Sequence, residues 1–463
     1  MRLIHKSIIA AALAACTLQA AAQHTRSGYF LDSYNYRYQM NPALGNDSHF
    51  VAMPALGNVN VGIHGNLHLG DVLYTVGDRT VLFTNPDVPV QEAMSRFGDH
   101  NRIGSTDKID ILAGGFRAFG GYNTVTLSAV ADVEADVPGA LFSLAKEGVA
   151  NRTYDIRDMR AHASAYAQLA LNHSRDIPAV PGLRVGATLK LLIGTGNVDM
   201  LFRRAELALG TDGWAARTDA DVYASVGGLR FDRKTYTPKH GATGLPYEYV
   251  SGANLDDGYS PNGFGLGLDL GAAYHRGDWT FSAALLDLGF IAWGKTQHAS
   301  TNGLQEIHTD AYTFSADDDA ANSFSNEWDR FTDDLSRLYQ LRDMGEMSSR
   351  TRMLAATVNV GAEYEFPLYR RLSFGLLNTT RIQGEYTWTD FRLSANVSPL
   401  NWLSASSSLA AGTYGCGFGW MLNLHTRGIS FFAGMDHTPG KLCKQGVPLR
   451  SNVSANFGID FPF

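Results

Sequence analysis

The last twelve residues of the chain alternate strictly between two kinds of side chain. Successive side chains of a β-strand point to opposite sides of the sheet, so this pattern gives one apolar and one polar face. The apolar positions are Val453, Ala455, Phe457, Ile459, Phe461 and Phe463, and the polar side consists of Asn452, Ser454, Asn456, Gly458, Asp460 and Pro462. A strand of this kind has to place its apolar face on a core or against lipid.

The position of this strand favours lipid, because it runs to an aromatic final residue. An aromatic-ended closing strand resembles the signal that the barrel-assembly machinery reads in bacterial outer-membrane barrels. Phe457, Ile459, Phe461 and Phe463 are therefore predicted to be this assembly signal, with outer-membrane lipid and the assembly machinery as partners. The alternative is a soluble secreted β-protein.

The N-terminus predicts export to the cell outer membrane of a Gram-negative bacterium. Arg2 and Lys6 precede a short apolar run, and the small residues 20–22 form a cleavage site, which together predict a signal peptide over 1–22. The apolar run is too short to span a bilayer. A competing pattern, Leu13-Ala14-Ala15-Cys16, resembles a lipobox that would leave a lipidated Cys16.

Composition favours one undivided membrane barrel. The chain has 463 residues, 48 of them glycine, and its charged fraction of 18% is low. No Pro/Ser-rich linker divides it, and outside 1–22 no apolar run approaches the ~18 residues of a membrane helix. The net charge of −7 lacks the basic footprint of a nucleic-acid partner.

We predict an all-β fold, an antiparallel transmembrane β-barrel over 48–463. Counting back from Phe463 at the inner end gives about 16 strands, with 14 as the alternative. Barrels place short turns on the inner side and long loops outside. Inner turns are expected near 118–122, 275–278, 367–371, 398–401 and 425–428, and outer loops at 67–105, 135–157, 230–262, 295–351 and 439–449.

The longest outer loop, 295–351, is predicted to contain a helix over Asn326–Met344. Trp328, Phe331, Leu335 and Leu338 recur there at helical spacing. Such a helix either caps the barrel or docks a partner, or it packs on its own loop.

Four motifs resemble the long-chain fatty acid transporter-like superfamily. Asn41-Pro42-Ala43 is similar to its N-terminal segment, and 267–274 and 185–190 are similar to its strand motifs. The run 286–293 resembles a strand of an uncharacterised Bacteroidota branch. The resemblance implies that residues 23–47 lie in the lumen as a plug, with Tyr29, Phe30, Asn41, Pro42 and Ala43 as candidate luminal residues.

The side chains predicted to face the lumen do not favour an apolar channel. They include Arg160, His162, Gln168, Asn452 and Asn456, the ordinary polar lumen of such barrels. The aromatic residues of 23–47 either supply a local apolar pocket or simply plug the barrel.

The sequence offers no credible catalytic, cofactor-binding or metal site, so an enzyme is not predicted. Ser143-Leu144-Ala145-Lys146 is an isolated four-residue match to a Ser-x-x-Lys pattern. The acidic run 317–319 lacks calcium-loop spacing, and the histidines are scattered.

Two cysteines follow Cys16, namely Cys416 and Cys443. Both are placed near the same outer end of a predicted hairpin, so a disulfide is one prediction in an oxidising compartment. A buried free thiol at Cys416 is the alternative.

Two functions remain open. The first is a barrel that passes or binds a small molecule, hydrophobic if the resemblance holds. The second is a non-transporting outer-membrane scaffold or shuttle that serves a surface protein export system, for which the long outer loops and the helix are the motivation.

Overall fold

The computed structural model describes residues 25–463 except 47, 149, 211–212, 240–244, 256–258, 310–311, 314, 316–319, 441–449 and 451. Its strands are β1 Phe50–Ala52, β2 Asn58–Gly65, β3 Leu73–Val76, β4 Arg79–Leu82, β5 His100–Ala118, β6 Gly121–Pro138, β7 Thr153–Asp155, β8 Arg160–Asp176, β9 Leu183–Leu209, β10 Trp214–Val226, β11 Leu229–Tyr236, β12 Tyr247–Leu255, β13 Gly263–Arg276, β14 Trp279–Ser300, β15 Gln305–His308, β16 Arg342–Met353, β17 Ala356–Glu365, β18 Leu372–Ile382, β19 Trp388–Leu400, β20 Leu403–Gly412, β21 Gly415–His425, β22 Ser430–Met435 and β23 Val453–Pro462. The α-helices are Leu69–Val72, Val90–Met94, Gly139–Glu147 and Phe324–Tyr339. None of the helices in this described part of the chain is long and apolar enough to cross a bilayer.

Fourteen antiparallel strands close into a barrel. The ring runs β2, β5, β6, β8, β9, β13, β14, β17, β18, β19, β20, β21, β22 and β23, and β23 pairs with β2 to complete it. The short β1 continues β2, because both pair with β5 and β23. The larger count of about 16 is therefore wrong and the alternative of 14 is correct.

The excess in the predicted count comes from strands that stack above others in the ring. β10 pairs with the outer half of β9, and β13 pairs with its inner half. In the same way β16 and β17 follow one another along β14. The alternation of apolar and polar residues predicts β10, β13, β16 and β17 as four separate wall strands. The hydrogen bonds show that β10 and β13 share one position in the wall, and that β16 and β17 share another.

Six short turns between strands of the ring lie at the end of the barrel where β23 finishes. Phe50 pairs with Pro462 and Gly115, and Tyr122 pairs with Ser174, which puts these residues at one level. The turns at this end are 119–120, 177–182, 277–278, 366–371, 401–402 and 426–429. The predicted inner turns all lie at this end, and the long connections among the described residues lie at the other, together with two short ones at 383–387 and 413–414. The end with the six turns is therefore the inner, periplasmic one.

A belt of apolar side chains surrounds the outside of the barrel. On β23, Phe457 and Phe461 are each 41% exposed, whereas Asn456 and Asp460 between them are 1% exposed. The predicted two faces of this strand are therefore confirmed. The same outward exposure is found for Ile109, Val125, Leu171, Leu189, Phe264, Phe281, Val360, Leu376, Phe391, Leu409, Phe418 and Phe431. This belt is the lipid-facing surface of a transmembrane barrel.

The helix of the long outer loop spans Phe324–Tyr339. The predicted helix is confirmed, but its C-terminal end at Met344 is wrong, because Arg342–Met353 pairs with β14 as a strand. Phe331 packs edge-on against Trp214 and Tyr312, with ring centroids 5.8 and 5.4 Å away. One side of the helix therefore packs against Trp214 of β10 and Tyr312 of the same outer loop.

The hairpin β11–β12 holds the other side of this helix. The Tyr236 hydroxyl donates to Asp333, and Tyr247 donates to Gln340 at 2.6 Å. Burial raises the pKa of the Tyr236 phenol to about 12, and the hydrogen bond to Asp333 acts in the same direction. Tyr236 therefore remains a hydrogen-bond donor at neutral pH.

A second outer lobe explains the Ser-x-x-Lys match. Phe142 of the helix Gly139–Glu147 stacks on Phe97, which also packs edge-on against Phe83. The Lys146 ammonium donates to the carbonyl oxygens of Asn85 and Val88, each at 2.7 Å. Lys146 is thus a structural tie between two outer segments.

Candidate functional site

The luminal segment, residues 25–46, lies inside the barrel. Tyr29, Tyr34 and Tyr36 are at most 1% exposed. Tyr34 packs edge-on against Phe432 of β22 at 4.9 Å between ring centroids, and Tyr36 does so against Phe50 at 5.6 Å. The aromatic residues that the sequence left open as pocket or plug therefore fill the inner half of the lumen.

Ion pairs fix the outer end of the luminal segment to the barrel wall. Arg26 forms ion pairs with Asp390 and Asp436, each at 3.1 Å, and lies over the Trp388 ring. Asp436 also accepts the backbone N–H of Ser27 at 2.7 Å. These contacts tie the start of the segment to β19 and to the end of β22.

Asn41-Pro42-Ala43 fastens the segment to the opposite wall. The Asn41 amide donates to the carbonyl oxygens of Ala272 and Ala283 at 3.2 and 3.3 Å, and its own oxygen accepts the N–H of Ala43. A Cβ on Gly186 would stand 2.3 Å from the Pro42 oxygen, and one on Gly271 would stand 2.1 Å from Asn41 Oδ1. Both wall positions need glycine so that the segment can approach.

An ion triad joins three of the motifs found in the sequence. The Lys190 ammonium lies 2.8 Å from Asp269 and 2.5 Å from Asp287. Asp287 has a φ of 59°, and the pairing of β13 with β14 shifts register between Leu268 and Leu270. The backbone N–H of Asp287 donates to Asp269 at 2.7 Å. The triad therefore locks a kink in the barrel wall.

A cavity of about 140 Å³ lies beside the triad, in the outer half of the lumen. One of its walls is apolar and consists of Ile291, Trp293, Tyr166 and Leu354, with Leu192 packed against them. Ile291 and Trp293 are each at most 2% exposed. A Cβ on Gly194 would meet the Trp293 ring at 2.4 Å, and one on Gly263 would meet it at 2.8 Å. The indole therefore packs against Gly194 of β9 and Gly263 of β13, close to the point where the partner of β9 changes from β13 to β10.

The facing wall is polar and carries ion pairs. Arg381 pairs with Asp132 at 2.7 Å, and Arg352 pairs with Asp199 at 2.7 Å. His162 Nδ1 lies 2.8 Å from the same Asp199 carboxylate. The lumen therefore has a mixed lining, one side suited to an apolar surface and the other to hydrogen bonds.

The apolar wall escaped the sequence prediction. In the run 286–293 both faces of the strand are apolar, because Leu288 and Phe290 face lipid while Ile291 and Trp293 face the lumen. Alternation therefore carries no signal there. The kink at Asp287 further obscures which side each residue takes.

The predicted site residues fall into separate groups. Tyr29, Phe30, Asn41, Pro42 and Ala43 are all buried within the lumen, below the cavity. Phe457, Ile459, Phe461 and Phe463 lie on the last strand and after it, away from the lumen, and their role in assembly stays a prediction.

Of the remaining predicted residues, the structure describes only Cys416. Cys416 is exposed at the outer end of β21, which overturns its alternative as a buried thiol. Cys443, Cys16, the signal region 1–22 and the acidic run 317–319 lie outside the described residues. Within the described ranges no group of histidine, cysteine and acidic residues could hold a metal ion.

The chain belongs to a family of unknown function, DUF5723, whose model matches residues 42–436. No curated protein matches it. Similar solved structures include the toluene transporter TbuX of Ralstonia pickettii, at 10% identity over 92% of this chain and 93% of that one, with a TM-score of 0.40. The toluene transporter TodX of Pseudomonas putida has 8% identity over 96% and 94%, with a TM-score of 0.38.

A FadL homologue of Pseudomonas aeruginosa is also similar, with 11% identity over 96% of this chain and 98% of that one and a TM-score of 0.36. The Bacteroidota branch stays a prediction.

Proposed function

We propose that this member of the DUF5723 family passes or holds a small, mainly apolar molecule in the lumen of an outer-membrane barrel. The observation that carries the proposal is the cavity wall of Tyr166, Ile291, Trp293 and Leu354. Large apolar side chains turned inward are not needed to build a polar-lined barrel, and ligand sites are mostly apolar with a few placed polar groups.

The luminal segment gives this cavity a floor. Met40 and Asn359 line its inner side, and the Asn359 amide donates to the Met40 carbonyl at 2.8 Å. A molecule that enters from outside therefore meets the cavity first and the segment next. Passage of the molecule through the barrel requires the luminal segment to move, whereas binding of the molecule in the cavity does not.

Trp293→Ala tests this proposal. We expect it to weaken binding of a small aromatic probe about tenfold, because the largest apolar surface of the cavity is removed. Trp279→Ala is the matched control, since Trp279 is 45% exposed on the outer face of the same strand. Binding is measured calorimetrically in lipid nanodiscs, and equal losses in both variants would contradict a luminal site.

A scaffold or shuttle for surface proteins is the second candidate, favoured by the helix Phe324–Tyr339. Trp328 on this helix is 49% exposed and stacks on Phe324, beyond the lipid-facing belt. We expect Trp328→Ser to reduce the proteins recovered with the barrel from detergent-solubilised outer membranes. Recovery of the barrel alone from unaltered cells would count against this candidate.

Export by the signal peptide 1–22 and the barrel-assembly machinery as partner belong to the same proposal, and lipidation at Cys16 is the competing alternative to cleavage after residue 22. They are supported by the sequence patterns at the two ends of the chain.

A further inference from the structure

The cavity is the size of one ring. Its volume of about 140 Å³ is close to that of an engineered apolar cavity of roughly 150 Å³ that takes up benzene. A long acyl chain would have to extend well beyond it. Size alone therefore points to a molecule with one aromatic or alicyclic ring.

Every cation that lines the cavity already has a carboxylate partner. Lys108 lies 3.9 Å from Asp110, and its ammonium also donates to Gln39 at 3.1 Å. The other pairs are Arg26 with Asp390 and Asp436, Lys190 with Asp269 and Asp287, Arg352 with Asp199, and Arg381 with Asp132. No cation of the lining is therefore left without a carboxylate partner among the described residues.

This pairing disfavours an anionic ligand. A bound carboxylate would have to compete with Asp132 for Arg381, or with Asp199 for Arg352. Loss of Arg381 would leave the buried Asp132 carboxylate without its ion-pair partner, which is strongly unfavourable. Loss of Arg352 would remove one of the three cationic or imidazole partners of Asp199, the others being Arg350 and His162. A neutral molecule avoids this exchange.

The polar wall still offers hydrogen bonds to a neutral molecule. Asn197 lines the cavity and is 1% exposed, and its Oδ1 has no hydrogen-bond partner among the described residues. Its Nδ2 donates to the carbonyl of Ala163 at 3.4 Å, which orients the amide. An acceptor placed in this way is satisfied by a ligand that carries a hydroxyl or N–H donor.

Resting on the proposed function, we infer that the ligand is a neutral one-ring molecule with a hydrogen-bond donor, and not an anionic amphiphile. Its ring packs on Trp293 and Ile291, and its donor reaches the Asn197 side. Selection between neutral and anionic molecules is made by the ion pairs, because they leave no free charge.

Calorimetry on the full-length barrel in nanodiscs tests the inference with benzyl alcohol, benzoate and toluene as probes. Benzyl alcohol should bind at least about tenfold more tightly than benzoate, which has the same ring but a negative charge. It should also bind more tightly than toluene, which lacks a donor. Asn197→Leu should remove the advantage over toluene.

Asp132→Asn should reverse the selection. It keeps the shape of the side chain but frees Arg381 from its carboxylate, so benzoate affinity should rise about tenfold while benzyl alcohol changes little. Asp78→Asn, in the exposed turn between β3 and β4, is the control for a change in net charge. Heat-dependent migration in gels verifies that each variant is folded.

The outcomes separate the two proposals. Benzoate binding as tightly as benzyl alcohol in the unaltered protein overturns the inference and leaves the proposed function in place. Equal affinity for toluene and benzyl alcohol overturns the role of the donor. Binding of none of the probes contradicts both the inference and the proposed function.

Discussion

Removal of residues 25–44 should raise the single-channel conductance of the barrel about tenfold or more. A fourteen-stranded barrel is wider than the eight-stranded kind that side chains fill, so the luminal segment is what closes its inner half. Tyr29, Tyr34 and Tyr36 would be lost from the lumen, together with the ion pairs of Arg26. Recordings in planar bilayers measure the effect.

Gly186→Ala is the matched point variant for this deletion. The added Cβ would stand 2.3 Å from the Pro42 oxygen, so the segment should be displaced while every aromatic residue is retained. An intermediate rise in conductance is expected. Gly277→Ala, in an inner turn with open space around it but a φ of 65°, controls for a general loss of stability. An unchanged conductance after the deletion would show that the segment does not close the lumen.

Lys190→Met should lower the free energy of unfolding by about 3–5 kcal/mol. Lys190 neutralises both the buried Asp269 and the partly exposed Asp287, which would otherwise repel each other across the barrel wall. The shape of the side chain is nearly conserved, so the loss reports on charge and not on packing. Urea unfolding in detergent, followed by tryptophan fluorescence, measures it.

The triple variant Lys190→Met, Asp269→Asn, Asp287→Asn separates charge from geometry. All three charges are removed together, so most of the lost stability should return. Were the single variant as stable as the unaltered protein, the triad would not be what holds the kink at Asp287.

Much of the fold follows from local pattern. The two faces of β23 follow from the two-residue alternation of apolar and polar side chains. The sides of the turns and loops follow from the spacing of turn residues along the chain. The strand count needed more, because β10 and β13 occupy one position in the wall although they are separated in sequence by a hairpin. Whether two strands lie side by side or end to end depends on hydrogen-bond partners far away in the chain.

The site shows the same division. The motifs at 41–43, 185–190, 267–274 and 286–293 were each visible in the sequence, but nothing in them indicated that they meet. Gly186 and Gly271 receive Asn41 and Pro42, while Lys190 joins Asp269 to Asp287. The inward apolar wall around Trp293 was hidden as well, because that strand is apolar on both faces.

The sequence by itself determined that this chain is a membrane barrel, which strand face meets lipid and at which end the loops lie, because these properties depend on neighbouring residues. Only the tertiary structure decided the number of strands, the triad and the cavity with its paired cations. Those features depend on the register of strands distant in the chain, and a shift of one residue would turn every inward side chain outward.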